Sequence, residues 1–534
     1  MRSFRSTLWP VLGSLVAFSC GGAITEQAGT ASQALSPDDA TGPFKNASGK
    51  SANLSTTGSI DTNNEFFKSL GTNGRACVSC HAPKAGFSIT PDLVQDLFDK
   101  CGLSKDEPKD NLSDDEKIAC SIFRTNDGST SPNADVSTPD ARRAAYSLLM
   151  SKGIIRFTFP VPPNPMFDIV AASDPYGVGT TAAPSVFRRP LPATNLLLGS
   201  SVMWDLRETS TGFLVAPFTP DVTHVPSLND QLKSQALHAT LGHAQAMTPG
   251  LTDAQQQSIV NFELALFSAQ TSVGGAGPLS ADGAMGGPGA LSQQAVTPVC
   301  GNLVVVDNNP AFPQCQAYTF TPIVFTIFDA WANLQGKDEK SEMRASIARG
   351  QTLFNTRKTQ SPAGPFFDHS GDNKNTTCST CHSDFNAGAP SVPVGFQNVI
   401  DGVGPNSFNS PGFTTDFTSP DLPVYTLRCN KHGMDVFHRS KGAAGCHDGS
   451  ETNPPVHADE VTLNDPGRGL ITGSWQSVAA FKCPTLRNLS AHAPFFHDGS
   501  AATLADVVEH YKQALGFQFT DDEKQDLINF LSAL

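Results

Sequence analysis

Two short stretches constrain this chain more than anything else in it. Cys77-Val78-Ser79-Cys80-His81 and Cys378-Ser379-Thr380-Cys381-His382 are both Cys-x-x-Cys-His runs. Thiols two residues apart can add to the two vinyl groups along one side of a porphyrin. The adjacent histidine then lies under the ring with a nitrogen for iron. The pattern predicts two covalently bound haem c groups, one on Cys77, Cys80 and His81, the other on Cys378, Cys381 and His382. A thioredoxin-like redox pair shares the cysteine spacing, and four thiolates together suit zinc. Neither accounts for a histidine directly after each pair. Ala443-Ala444-Gly445-Cys446-His447 looks like a third copy without its first cysteine and reads as structural.

The rest of the chain suits an exported haem protein. Arg2 and Arg5 precede an apolar run, Leu8 to Phe18, too short to span a bilayer. Residues 1–22 therefore read as a signal peptide. Small residues before Cys20 leave a lipoprotein-type lipid anchor open beside a simple cleaved leader. The expected location is the periplasm or cell envelope, which also provides for haem attachment to reduced thiols after export. Twelve cysteines agree with an oxidising compartment. Local disulfides at 101–120 and 300–315 would brace loops, while Cys429, Cys446 and Cys483 stay unassigned. The net charge of −14 argues against a nucleic-acid partner. No later apolar run is long enough for a membrane span.

The chain also repeats a plan. Glu65-Phe66-Phe67 before the first motif parallels Leu353-Phe354 before the second. Thr252-Asp253-Ala254-Gln255 and Thr520-Asp521-Asp522-Glu523 both read as capping boxes opening amphipathic helices, with Ile259, Phe262 and Leu266 in one and Leu527, Phe530 and Leu531 in the other. The expectation is a mainly α protein with long loops and insertions. Its parts are a tether at 23–58, a first unit at 59–270, a Gly/Pro-rich linker and connecting segment at 271–335, and a second unit at 336–534.

The C-terminal run Phe481-Lys482-Cys483-Pro484-Thr485-Leu486-Arg487-Asn488, followed by Ala493-Pro494-Phe495-Phe496-His497-Asp498-Gly499, resembles the bacterial di-haem cytochrome c peroxidases, a family that includes MauG. Asp465-Pro466-Gly467-Arg468 and Met203-Trp204-Asp205-Leu206-Arg207 are similar to further family segments, with Leu206 where a glycine is usual. The resemblance covers most of 60–270 and 340–534. It implies two tandem cytochrome c-like domains, Trp204 as an electron relay between haems, and a calcium ion held near the interface by Asn195 and the carbonyls of His492 and Pro494. Tyr511 falls at the distal-ligand position of the second haem, with His510 as its competitor. A phenolate there would lower the haem potential. No histidine occurs between His81 and His224, which suggests an open coordination site at the first haem. His243 or Gln245 stands near the place of the family's catalytic acid, and of these only His243 can move a proton. Asp465 and Arg468 would brace a loop against a haem propionate.

These features imply a peroxidase-type oxidoreductase using hydrogen peroxide and a small electron-donor protein such as a cytochrome c or cupredoxin. Two alternatives stay open: a di-haem electron carrier without turnover, and a di-haem oxygenase similar to the rubber-cleaving enzymes.

Overall fold

A short helix, α1 (Pro37–Thr41), and a hairpin, β1 (Phe44–Asn46) and β2 (Gly49–Ser55), begin the computed structural model. It describes residues 37–104, 108–199, 201–209, 227–294, 323–334, 336–359, 377–389, 419–430 and 460–534. The expected leader with Cys20, the pair Cys300 and Cys315, and the Cys446-His447 run lie outside these residues. The hairpin turn is made by Asn46, whose Oδ1 accepts from the backbone of Ser48 and Gly49. The tether expected at 23–58 is thus a sheet at its C-terminal end. Strand β2 turns Ser51, Asn53 and Ser55 inward, so its alternation is polar and reads from sequence as a flexible stretch. Asn53 compensates by donating to the carbonyls of Ala40 and Pro83.

Helices α2 (Pro91–Cys101) and α3 (Asp114–Cys120) follow the first Cys-x-x-Cys-His run. The disulfide Cys101–Cys120 joins their ends, as the spacing suggested. Next come α4 (Pro139–Ala145), α5 (Ser147–Lys152), β3 (Ile155–Thr158), β4 (Phe167–Ser173) and β5 (Ser185–Arg188). Then α6 (Leu228–Gly242) leads to α7 (Asp253–Ala265), which opens on the Thr252–Gln255 capping box. It runs straight into β6 (Leu266–Val273), β7 (Gly277–Pro278) and α8 (Pro288–Ser292). The first part of the expected linker is therefore ordered. Its Val273, Ala276, Leu279 and Ala284 are small enough to look like linker residues yet all lie in the core.

The second half carries α9 (Glu339–Thr356), α10 (Cys378–Cys381), β8 (Val424–Cys429), β9 (Glu460–Leu463), α11 (Gly469–Thr472), α12 (Leu504–Leu515) and α13 (Asp521–Ser532). Its last helix starts on the Thr520–Glu523 capping box. Gly350 lets α9 cross α13 closely: a Cβ there would lie 2.0 Å from the Asp526 carbonyl oxygen.

The expected mainly α architecture needs correction. Among the described residues, three antiparallel sheets join the helices, in the orders β1-β2-β6-β7, β3-β5 and β4-β8-β9. The third pairs β4 from the first half with β8 and β9 from the second, Phe167 opposite Cys429. Tyr425 locks this sheet to β5, its hydroxyl accepting from Ser185 N at 2.7 Å and donating to Ser185 O at 2.9 Å.

Candidate functional site: two Cys-x-x-Cys-His turns and an apolar cavity

The two haem-attachment runs fold alike. Cys77–Ser79 forms a 3-10 turn and Cys378–Cys381 a single helical turn. In each, the amide of the histidine donates to the carbonyl of the first cysteine at 3.0 Å, which swings the imidazole under the turn. Both histidines then use Nδ1 identically. His81 Nδ1 lies 3.0 Å from the Phe87 carbonyl and His382 Nδ1 lies 2.8 Å from the Gly388 carbonyl, each six residues on. A carbonyl only accepts, so Nδ1 carries the proton and Nε2 keeps its lone pair. Burial holds both rings neutral, His382 with a pKa lowered to about 4.

The thiols are likewise buried and uncharged. Burial raises Cys80 to about 11 and Cys378 to about 12, and raises Cys77 further with help from Glu263. The Cys381 side chain lies outside the described residues. Aromatic walls repeat as well. Phe66 packs against His81 and Phe262, and Phe354 against His382 and Phe530. Neutral imidazoles with an unprotonated Nε2, protonated thiols at Cys77, Cys80 and Cys378, and aromatic walls fit a covalently held porphyrin.

Beside His382 opens a cavity of about 1270 Å³, its mouth included, walled by Trp204, Phe481, Cys483, His497 and Tyr511 among mostly apolar residues. Helix α12 turns Tyr511 toward this space, while His510 packs on Phe496 and is not part of the wall. Cys483 is a reduced thiol whose Sγ stands 3.1 Å from His382 Nδ1. Cys429 is disulfide-bonded.

Known proteins are similar to part of the chain. Across 110 residues it is 36% identical to a cytochrome c551 peroxidase of Nitrosomonas europaea, covering 19% of this chain and 33% of that protein. It is 33% identical over 120 residues to the methylamine utilization protein MauG of Methylophilus methylotrophus, covering 20% and 36%. Over these stretches the chain is similar to cytochrome c551 peroxidases and MauG proteins. It spans about a third of the length of these curated relatives. No family model matches. A solved MauG-like protein associated with microbial copper homeostasis aligns over 67% of this chain and 78% of its own at 15% identity, with a TM-score of 0.24, too low to carry an argument.

The remaining expected residues are placed unevenly. Trp204 sits on the cavity wall, its indole Nε1 donating to the Arg189 carbonyl at 2.7 Å and its ring meeting His497 edge-on at 6.3 Å. His243 lies just past the end of α6 with Nδ1 2.5 Å from Asp127 Oδ2; Arg75 bonds the other oxygen of the same carboxylate. Burial opposes the Asp127 charge, but His243 and Arg75 outweigh it and lower its pKa. Gln245 is exposed on the next loop. Asp465 and Arg468 are committed within the protein. Asp465 grips Arg188 through both oxygens, at 2.6 and 2.9 Å, and Arg468 donates to the Asp205 carbonyl at 3.1 Å.

Two of the three groups named for calcium, Asn195 and the His492 carbonyl, are already engaged within the protein. Asn195 spends its side-chain amide on the main chain of Ser268, at 3.0 and 2.9 Å. The His492 carbonyl accepts from Arg189 at 2.9 Å. Two partnerships escaped the sequence reading: Asp127 with His243, and Glu208 with His238 at 3.0 Å. A lone aspartate in an insertion gives no signal that it will face a histidine 116 positions later.

Proposed function

We propose that this chain is a di-haem c-type oxidoreductase of peroxidase type. It takes hydrogen peroxide, two protons and two electrons to two waters. The observation that carries this reading is the doubled ligand geometry: two Cys-x-x-Cys-His turns, each with Nδ1 tied to a carbonyl six residues on, which leaves Nε2 the unprotonated ring nitrogen. Partial relatedness to cytochrome c551 peroxidases and MauG supports it. Bound haem supplies one-electron iron chemistry at each site.

The protein's own groups do the rest. His81 and His382 present Nε2 at fixed orientation. Trp204, pinned at its indole nitrogen, gives the second site an oxidisable, polarizable wall. Tyr511 is the candidate distal ligand there. The His243 imidazole, oriented by Asp127, holds and moves the proton that O–O cleavage requires near the first site. Electrons come from a small donor protein such as a cytochrome c or cupredoxin. Residues 59–270 and 336–534 are read as two cytochrome c-like units, exported to the periplasm or cell envelope behind a leader at 1–22, with Cys20 available for a lipid anchor.

The test is spectroscopic. A pyridine haemochrome assay is expected to return two haems per chain, falling to one in Cys77→Ser/Cys80→Ser or Cys378→Ser/Cys381→Ser. Stoichiometric peroxide should change the visible and magnetic-resonance spectra, and Tyr511→Phe should alter only the second haem. A single haem in the parent protein, or spectra indifferent to peroxide, overturns the proposal.

A further inference from the structure

We infer that the Arg189 guanidinium is the built-in cation of the interface where relatives are expected to place calcium, and that Arg189 thereby positions Trp204. Arg189 directly follows β5 and is almost fully buried. Its Nη1 donates to the Lys152 carbonyl at 2.6 Å, and its Nη2 donates to the carbonyls of Ile89 at 2.8 Å and His492 at 2.9 Å. These oxygens come from three separate segments. Lys152 ends α5, Ile89 precedes α2, and His492 follows the 3-10 turn Leu489–Ala491 in the C-terminal block. Neutral carbonyls converging on one buried charge are the kind of donor set a hard cation takes. Here a side chain supplies the charge.

Two further observations agree. Lys152 is the last residue of its helix, where carbonyls lack intrahelical partners and the helix dipole favours a cation. Gly153 makes room: at φ +62° it is left-handed, and a Cβ there would stand 2.7 Å from Arg189 Nη1.

The main chain of the same residue reaches the cavity. The Arg189 carbonyl accepts from Trp204 Nε1 at 2.7 Å, and its amide donates to the His497 carbonyl at 2.6 Å. Side chain and main chain together tie α5, the approach to α2, the C-terminal block and Trp204 through one position. Arg189 is a positioning residue; its spectral readout rests on the haem binding proposed above, its metal content and melting do not.

The experiment uses the purified holoprotein. Elemental analysis is expected to find substoichiometric calcium. Neither EDTA nor calcium chloride should move the melting temperature, whereas a cation site filled far above its Kd would shift it by about 5 °C. Arg189→Ala should melt lower and perturb the visible bands of the second haem, and guanidinium chloride at sub-denaturing concentration should restore both. Arg189→Lys should be intermediate, because an ammonium keeps the charge but not the fork. One calcium per chain, or a chelator-induced loss reversed by calcium, overturns the inference, as does Arg189→Ala with parental melting and spectrum. If Arg189→Ala does not accumulate, metal content and the chelator titration of the parent protein decide alone.

Discussion

Asp465→Asn tests whether burial, rather than contact distance, sets the worth of an ion pair in this fold. Arg188 is 2% exposed and lies between Asp465, 3% exposed, and Asp205, fully buried. Arg207 adds a second cation on Asp205 at 2.9 Å, so two guanidinium groups balance two carboxylates. The amide replaces the Asp465 carboxylate without a cavity but leaves one positive charge uncompensated inside. Breaking a buried pair in this way costs about 3–5 kcal/mol. At roughly 2 °C per kcal/mol for a protein of this size, the melting temperature should fall by about 6–10 °C. Glu460→Gln is the matched control. Arg428 meets Glu460 at 2.6 Å, but the two side chains are 59% and 46% exposed. An exposed pair of this kind is worth under about 1 kcal/mol. Calorimetry of both holoprotein variants decides. If Asp465→Asn shifts melting no more than Glu460→Gln does, the argument from burial fails.

Acid should attack the same network. Burial pushes Asp205 up, but Arg207 and Arg188 outweigh it and hold the pKa near 2. Its contribution, bounded at about 2 kcal/mol by 1.36 kcal/mol per pH unit, is present above pH ~4 and lost as pH falls through about 2; acid titration of unfolding should lose this step in Asp205→Asn. Glu263 works in the opposite sense. Burial raises it to about 8 from 4.5, and its Oε2 has no hydrogen-bond partner. The unfolded carboxyl ionises first, so stability falls as pH rises from 4.5 to about 8, by at most roughly 5 kcal/mol. Glu263→Gln should flatten that slope and stabilise the protein at pH 8; an unchanged slope in denaturant midpoints refutes the assignment. Gly350→Ala should cost about 1–3 kcal/mol, because its Cβ would collide with the Asp526 carbonyl where α9 crosses α13. A denaturant midpoint equal to the parent's would mean the crossing can relax.

What was legible in the sequence is what local chemistry encodes. Each Cys-x-x-Cys-His run folds within five residues, and its histidine finds its carbonyl six residues later. The capping boxes at Thr252 and Thr520 need only a side chain and the backbone three residues on. The partners of those motifs were not legible. His243 was marked as a proton carrier, but nothing near it in the chain announces Asp127. Asn195 looked like a calcium ligand because amide oxygens suit that ion, yet the main chain of Ser268 takes both ends of its amide. Arg189 stood beside Arg188 as one of two similar residues. Only folding separates them, giving one two carboxylates and the other three carbonyls.

The sheets show the same limit on a larger scale. Strand β2 hides because it buries Ser51, Asn53 and Ser55, and β4 hides because its residues after Phe167 are mostly exposed. Their pairing with β6 and β8 closes loops of some two hundred residues and more, at an entropy cost that grows only with the logarithm of length. Such contacts leave no short-range periodicity to read. They do have a consequence for the site. Strands β4 and β8 lie some two hundred and fifty residues apart in the chain, yet they pair in one sheet, and Tyr425 bolts that sheet to the backbone of Ser185. Ser185 begins β5, the strand that ends in Arg188 and delivers Arg189 to Trp204. A sheet that braces β5 therefore also steadies the Arg189 carbonyl that holds Trp204 in the cavity wall.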